Sequence, residues 1–305
     1  MRMKKFGRTG LIVSEICLGT MTFGGDGFWK VVGEQGQGEA DAIVKGAIDA
    51  GVNFIDTANV YSNGQSEAIL GQAIKNLGLN RDQIVVATKL HGRMGPGPNE
   101  VGQSRASILS AIDKSLKRLQ LDHIDLYQTH GYDPLTPIEE TMEALNDVVR
   151  AGKVRYVGFC NLPAWKVAKA NAYAAARGFA RYESAQVYYT IAGRDIEREI
   201  VPLAKEDQLA IMPWARRSPA ACSRASSCAM APARRARAAP SSTSRWSTRT
   251  ALSTSSKRWS PSPRRMASRS PASRSPGCCT RATSPRSSSA PRRSISSATT
   301  SPPPR

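Results

Sequence analysis

The chain has 305 residues, of which 43 are Lys or Arg and 24 are Asp or Glu, so its formal net charge is +19. Taken as an average, this charge indicates a basic protein that binds nucleic acid or acidic membranes. The charge is unevenly spread, because all 24 acidic residues and 24 of the basic residues lie in residues 1–214. Residues 215–305 carry the other 19 basic residues and no acidic residue, so the two parts need separate interpretations.

Composition excludes several protein classes. No window approaches the 18 or more apolar residues of a membrane span, and the apolar run at residues 11–13 is too short for a secretory signal. The six cysteines show no ligand spacing with histidine, so the sequence predicts neither a zinc site nor a disulfide framework, and no metal ligands. We therefore expect a soluble, cytoplasmic protein without a membrane partner.

Short apolar runs alternate with amphipathic stretches along residues 1–214. The apolar runs predict seven strands, at residues 15–18, 53–55, 84–88, 124–127, 154–159, 184–187 and 209–212. Between them, apolar positions at i, i+3, i+4 and i+7 predict six helices, at residues 39–50, 66–76, 105–118, 137–150, 165–176 and 195–206. Gly51, Gly78 and Gly152 follow helix ends, where a left-handed cap favours glycine.

The strict alternation of strands and helices predicts a parallel α/β fold. Eight such units would close a (β/α)8 TIM barrel of about 250 residues. The alternative is an open doubly wound sheet, which usually has a G-x-G-x-x-G turn after its first strand. Here the first strand leads into GTMTFGG at residues 19–25, where that spacing fails. We therefore predict a TIM barrel that is incomplete after its seventh strand.

Polar residues stand at the C-terminal ends of these strands, which in a barrel meet at one mouth. From the second strand to the sixth they are Asp56, Lys89, His130, Asn161 and Gln186. Tyr61, five residues beyond Asp56, could reach the same mouth from its loop. Each residue alone also has an ordinary structural interpretation as a turn, surface or loop residue; their shared position favours a functional site.

This set of groups suits carbonyl reduction, which needs a hydride at carbon and a proton at oxygen. Tyr61 would be the general acid, because a nearby Lys89 ammonium favours the phenolate and lowers the pKa of the phenol. Asp56 would keep Lys89 charged and fixed, and His130 would orient the substrate oxygen. His91 and His123 lack partners in the pattern and are interpreted as structural or surface residues.

Several segments match a known family. They are KFGRTGL at residues 5–11, LGTMTFG at 18–24, FIDTANVY at 54–61, ATK at 87–89, DLYQTH at 125–130, GKVRYVG at 152–158 and GRDIE at 193–197. The chain resembles the aldo-keto reductases, barrel enzymes that use NADPH to reduce carbonyl groups. The resemblance covers residues 1–214 and is specific, because it combines several separate motifs.

The resemblance implies roles for individual residues. Asp56, Tyr61, Lys89 and His130 match the catalytic four. Seven further positions match the cofactor site: Gly19, Thr20 and Met21 beneath the cofactor, Cys160 where many members have serine, Asn161 and Gln186 on the nicotinamide carboxamide, and Trp214 stacked on its ring. The implied cofactor is NADPH, with NADH left open, and the implied partner is a small carbonyl substrate. The substrate's identity and the oligomeric state stay open.

Residues 215–305 form a second compositional region. Ser, Arg, Ala and Pro make up 71 of its 91 residues, and its only Leu, Ile, Val or Phe residues are Leu252 and Ile295. Such a segment cannot bury enough apolar surface to offset chain entropy, so we expect a disordered tail. It is either a basic linker that binds acidic partners or an out-of-frame translation.

The shifted-frame interpretation has a specific basis. Synonymous codons for residues 215–231 can be chosen so that the neighbouring frame reads SPLAGGLLSGKFVRDG, directly after Trp214. Residues 277–304 can likewise conceal WLLHKGHVTSVIIGA and, after one further residue, TVDQLGDNLAA. Both strings resemble the family segments that the visible tail lacks, in the correct order. We therefore expect a small insertion or deletion near codon 215, and weak or no NADPH binding by this chain.

Two other functions are possible. The first is a nucleic-acid or acidic-surface binder that acts through the arginine-rich tail, with salt-dependent binding. The only aromatic residues of the tail are Trp246 and Trp259, and the shifted frame explains its composition more simply. The second is a non-catalytic subunit that uses the barrel as a scaffold, which the complete set of four catalytic residues disfavours.

Overall fold

The computed structural model describes residues 1–25 and 27–215, so the predictions for residues 216–305 lie outside the described residues. The described strands are β1 Met3–Lys5, β2 Ile12–Ser14, β3 Cys17–Gly19, β4 Phe54–Asp56, β5 Val85–Leu90, β6 Ile124–Thr129, β7 Val154–Cys160, β8 Tyr182–Tyr188 and β9 Ala210–Trp214. The α-helices are α1 Gln37–Asp49, α2 Gln65–Asn76, α3 Arg105–Leu119, α4 Ile138–Arg150, α5 Ala164–Arg177 and α6 Ile200–Glu206. Four short 3-10 helices span Gly27–Val31, Tyr61–Gly64, Arg81–Gln83 and Asp195–Glu197.

Strands β3 to β9 form one seven-stranded parallel sheet in chain order, each strand paired with the next. The α-helices lie between successive strands, as right-handed β-α-β connections require. This curled sheet with its covering helices is the incomplete TIM barrel that the sequence predicts. All seven predicted strands are present, with ends displaced by no more than a few residues. In the described part of the chain, no helix combines the length and the apolar character needed to cross a membrane.

The two faces of the sheet are both covered, which explains the continuous apolar runs. Every residue of β5 and of β6 is buried. On the outer face, α4 packs through its apolar stripe, in which Ile138, Met142 and Leu145 are buried. A polar residue within such a strand therefore faces protein rather than water.

An N-terminal hairpin of β1 and β2 is a feature that the sequence did not predict, since each strand has only three residues. Phe6, beside the turn, and Val13 pack with Phe54, Val85 and Leu126 on the inner face of the barrel. The hairpin thereby supplies part of the barrel's inner core.

The predicted helix at residues 195–206 is wrong at its start. A 3-10 turn spans Asp195–Glu197, and α6 begins only at Ile200. Pro202 explains the break, because it has no N–H to donate and clashes with the preceding turn unless it lies in the first turn of a helix. The predicted helix ends at Gly51, Gly78 and Gly152 are confirmed, since their φ angles are 84°, 58° and 74°.

Candidate active site

The structure brings the predicted catalytic side chains together at the C-terminal ends of the strands. Asp56 is the last residue of β4, Lys89 lies near the end of β5, and His130 directly follows β6. Tyr61 opens the 3-10 turn that precedes α2 and points back toward them, with only 9% of its surface exposed. Four residues from three successive strand ends and one loop thus form one cluster.

Lys89 is the centre of this cluster and has no exposed surface. Its Nζ donates hydrogen bonds to Asp56 Oδ2 at 2.5 Å and to the Thr57 carbonyl at 2.8 Å, and it lies 3.2 Å from the Tyr61 hydroxyl. Burial lowers the pKa of Lys89, but the charge of Asp56, with smaller contributions from Tyr61, Cys160 and the hydrogen bond to Asp56, together outweigh burial, so the pKa lies above its usual value. The ammonium is therefore charged at neutral pH.

The pKa of Tyr61 differs from the simple expectation. Burial raises it, the Lys89 ammonium lowers it, and Asp56 raises it again, so the net pKa lies above the usual 10.0. The lysine acts in the predicted direction, but in the cofactor-free chain burial is the larger effect. The phenol consequently holds its proton at neutral pH.

The second oxygen of Asp56 carries a feature that the sequence analysis missed. Gln128 and Gln186 each donate a side-chain N–H to Asp56 Oδ1, both at 3.0 Å. Gln128 lies in β6 and has no exposed surface. The available signal was its position two residues before His130, which in a strand places both side chains on the same inward face.

The ring of His130 packs edge-on against that of Tyr61. The two ring centroids are 5.7 Å apart and the planes meet at 76°. Burial, with smaller contributions from the charges of Lys89 and His91, lowers the pKa of His130 to about 3. The imidazole is therefore neutral at pH 7 and can donate one N–H without carrying a charge.

Trp29 is a second neighbour of Tyr61 that the sequence analysis did not single out. Its ring lies 5.7 Å from that of Tyr61, in the 3-10 helix Gly27–Val31. Phe28 and Val31 on the same segment are 76% and 82% exposed. An aromatic and apolar rim thus borders the mouth.

The residues predicted to hold a nicotinamide ring lie on the adjoining strand ends. Asn161 follows β7, and its Oδ1 accepts hydrogen bonds from the Tyr188 N–H at 3.1 Å and from Trp214 Nε1 at 3.4 Å. Trp214 ends β9 with its ring 5.0 Å from that of Tyr188. Gln186 contacts Asp56, as described above, and accepts a weak hydrogen bond from the buried Cys160 thiol at 3.6 Å.

The three residues predicted beneath the cofactor differ in their surroundings. Gly19 ends β3, and a Cβ placed there would meet no atom within 4 Å. Met21 is 37% exposed, whereas Thr20 has no exposed surface. The hydroxyl of Thr20 bonds to Ser66 Oγ at 2.9 Å and to the Asp56 carbonyl at 3.2 Å, so it is enclosed by protein beside Asp56. Gly19 and Met21 are thus exposed, whereas Thr20 is not.

The described residues contain no group of three or more His, Cys, Asp or Glu side chains arranged to hold a metal ion. Both described cysteines, Cys17 and Cys160, are free thiols.

Comparison with known proteins supports this picture. The model of the aldo/keto reductase family matches residues 15–217. The chain is 40% identical over 212 residues to norsolorinic acid reductase stcV of Emericella nidulans, covering 67% of this chain and 54% of that protein. It is 40% identical over 216 residues to the uncharacterized oxidoreductase YrpG of Bacillus subtilis, covering 68% and 64%.

A third relative is the versiconal hemiacetal acetate reductase of Aspergillus parasiticus, 35% identical over 233 residues and covering 70% of this chain and 66% of that protein. The chain thus spans between about half and two thirds of the length of these curated relatives. The family match ends three residues after Trp214, close to the point where the composition changes. The chain belongs to the aldo/keto reductase family.

Proposed function

We propose that the mouth formed by Asp56, Tyr61, Lys89 and His130 reduces an aldehyde or ketone to an alcohol, with NADPH as the reductant. The observation that carries this proposal is the position of Lys89 Nζ, in contact with both Asp56 Oδ2 and the Tyr61 hydroxyl. A buried ammonium beside a protonated phenol is suited to delivering a proton and stabilising the phenolate left behind.

Each residue has a defined part in this reaction. His130, neutral at pH 7, donates its N–H to the carbonyl oxygen and aligns it with the Tyr61 hydroxyl. Tyr61 transfers its proton to that oxygen as the carbonyl carbon gains a hydride. Lys89 stabilises the resulting phenolate, and Asp56 keeps Lys89 in place. Solvent then returns a proton to Tyr61.

The side chains predicted to hold the nicotinamide have the chemistry that this group requires. A carboxamide needs hydrogen-bond donors and acceptors, which the amides of Asn161 and Gln186 provide, and an aromatic ring fits against the indole of Trp214. Gly19 adds open space beside β3. These residues fit the ring end of NADPH, so Asn161, Gln186 and Trp214 would hold it. When bound, the cofactor supplies the hydride.

Two variants test the proposal in the full chain. NADPH oxidation is followed with an aromatic aldehyde, at NADPH concentrations raised until the rate saturates. Tyr61→Phe removes only the proton donor, and general acid catalysis contributes about 100- to 10,000-fold, so a loss in that range is expected. Tyr132→Phe, in an exposed loop, is the matched control and should leave the rate unchanged. Equal and measurable rates for the two variants would refute the role of Tyr61.

We further propose that residues 1–214 form the barrel domain and that residues 215–305 are translated from a shifted frame. The end of the family match at residue 217 supports this division. It also supports weak NADPH binding, because the family segments that the shifted-frame strings resemble are lacking from the visible sequence of residues 215–305. Sequencing the transcript across codon 215 tests the proposal; an intact frame that encodes this tail in a functional product would refute it.

The location of the positive charge favours a second candidate function, a nucleic-acid or acidic-surface binder. The 19 basic residues of residues 215–305 have no acidic residue among them. Salt-dependent binding to a DNA duplex by the full chain, lost in a chain ending at residue 214, would support it. Retention of binding without the tail would exclude it.

A further inference from the structure

The turn that carries Tyr61 has an unusual backbone. Ser62, Asn63 and Gly64 follow Tyr61 with φ angles of 47°, 54° and 95°. All three lie in the left-handed region, yet only one of them is glycine. Residues with side chains persist in this conformation only where the surrounding structure holds them. The position of Tyr61 therefore depends on contacts made around the turn.

The first contact comes from the loop after β3. Ser62 is buried, and its Oγ accepts a hydrogen bond from the Gly25 N–H at 3.1 Å. A Cβ on Gly24 would lie only 2.6 Å from Ser62 Cβ, so the loop packs tightly against the turn. One side of the turn is thereby fixed.

The second contact comes from α3, through Arg118. A Cβ on Gly64 would lie 2.8 Å from Arg118 Cδ and 3.0 Å from Arg118 Nε, so the arginine side chain lies directly against the turn. Arg118 Nε donates to Glu67 Oε2 at 2.6 Å, and a further arginine N–H donates to Ser115 Oγ at 3.3 Å. The guanidinium is thus held in one orientation behind Gly64.

Glu67 connects this arginine to the strand that carries the catalytic lysine. It lies in the first turn of α2 and has no exposed surface. Its Oε1 accepts a hydrogen bond from Thr88 Oγ1 at 2.6 Å, and Thr88 immediately precedes Lys89 in β5. One carboxylate therefore joins the arginine behind the Tyr61 turn to the side chain of Thr88, the residue before Lys89.

We infer that Glu67 and Arg118 are positioning residues for the site. Their ion pair holds the left-handed turn against β5 and so sets the contact between the Tyr61 hydroxyl and Lys89 Nζ. Both residues lie behind the turn, and both influence the reaction by fixing the position of Tyr61. The catalytic consequence rests on the proposed function; the effect on the position of Tyr61 is independent of it and can be measured without cofactor.

The test uses the double variant Glu67→Gln/Arg118→Met in the full chain. Changing both residues removes the ion pair without leaving a lone buried charge, which would itself strongly destabilise the protein. The matched control is Asp125→Asn/Arg81→Met. That pair has an N–O distance of 2.5 Å and side chains 12% and 22% exposed, and it lies at the opposite ends of β5 and β6 from Tyr61.

The readout is the rate at which tetranitromethane nitrates Tyr61 at pH 8, measured by mass spectrometry of the Tyr61 peptide. Tyr132, which is 44% exposed, is the internal reference for a general loosening of the fold. We expect nitration of Tyr61 relative to Tyr132 to rise at least fivefold in Glu67→Gln/Arg118→Met and to stay at the parent value in the control. An unchanged ratio in both variants would overturn the inference, and so would an equal rise in both.

A second comparison covers the case in which the double variant does not fold. Gly64→Ala places a methyl group against Arg118, whereas Gly78→Ala introduces a methyl group at another position of positive φ, with no atom within 4 Å. Only Gly64→Ala should accelerate nitration of Tyr61. Equal ratios in the two glycine variants would overturn the inference. In the reductase assay, displacement of Tyr61 should lower kcat and leave KM unchanged. A nitration effect without any fall in kcat would uphold the positioning of Tyr61 and refute only the role proposed for Tyr61 in catalysis.

Discussion

His130 should make the stability of the protein depend on pH in a defined range. Its pKa falls from 6.5 to about 3 on folding, so the unfolded chain binds a proton at pH values where the folded chain does not. Between these two values, stability is lost as the pH falls, by about 1.4 kcal/mol for each pH unit. Above 6.5 both states are neutral, so the stability no longer changes with pH through His130.

The size of the effect at pH 5 follows directly. The unfolded imidazole is mostly protonated there and the folded one is neutral, so lowering the pH from 7 to 5 costs about 2 kcal/mol of unfolding free energy. His130→Gln removes this term, because glutamine does not titrate. The variant should therefore lose about 2 kcal/mol less than the parent over the same range, whatever its stability at pH 7.

Urea unfolding at pH 7 and pH 5 measures the difference. His123→Gln is the control, since His123 is partly exposed and its pKa is lowered less. The parent and His123→Gln should show a steep pH dependence, and His130→Gln a shallow one. The same pH dependence in the parent and in His130→Gln would show that His130 is not buried as a neutral group.

Three further predictions concern packing, charge and cofactor binding. Gly71→Ala should destabilise the protein, because its Cβ would lie 2.4 Å from the carbonyl oxygen of Leu119 in α3. Gly46→Ala, also in a helix but with no atom within 4 Å of the new Cβ, should stabilise the protein by about 0.5 to 1 kcal/mol. A lower urea midpoint for Gly46→Ala would contradict this packing argument. Lys89→Met should cost about 3 to 5 kcal/mol by leaving Asp56 as an unpaired buried charge, and Lys89→Met/Asp56→Asn should recover most of it; equal stability of the two would refute the buried pair. Fluorescence titration with NADPH should show no saturation at micromolar concentrations in this chain, and a micromolar dissociation constant would contradict the proposed loss of cofactor contacts.

The outline of the fold and the mouth could be predicted from sequence because both depend on local patterns. Apolar runs that alternate with helical periodicity indicate a parallel sheet, and polar residues at the ends of those runs indicate its functional edge. This reasoning placed Asp56, Lys89 and His130 correctly relative to one another. The break before α6 was missed because the periodic pattern continues through Pro202, whose effect depends on its position in the first turn.

Contacts that depend on tertiary burial could not be predicted. Glu67 and Arg118 look like ordinary charged residues of two helices, and only the packing of α2 against α3 makes them a buried pair. The net pKa of Tyr61 likewise depends on how far the ring is buried, which its spacing from Asp56 does not reveal. Gln128 was overlooked because it lies inside a strand rather than at its end.

The most direct test of the central claim uses the protein with its frame restored at codon 215. We predict that this protein reduces an aromatic aldehyde with NADPH, and that Tyr61→Phe in the same background lowers the single-turnover rate by about 100-fold or more. General acid catalysis should contribute at least about 100-fold. A Tyr61→Phe rate within a factor of about two of the parent rate would therefore contradict the assignment of the mouth as the site of carbonyl reduction.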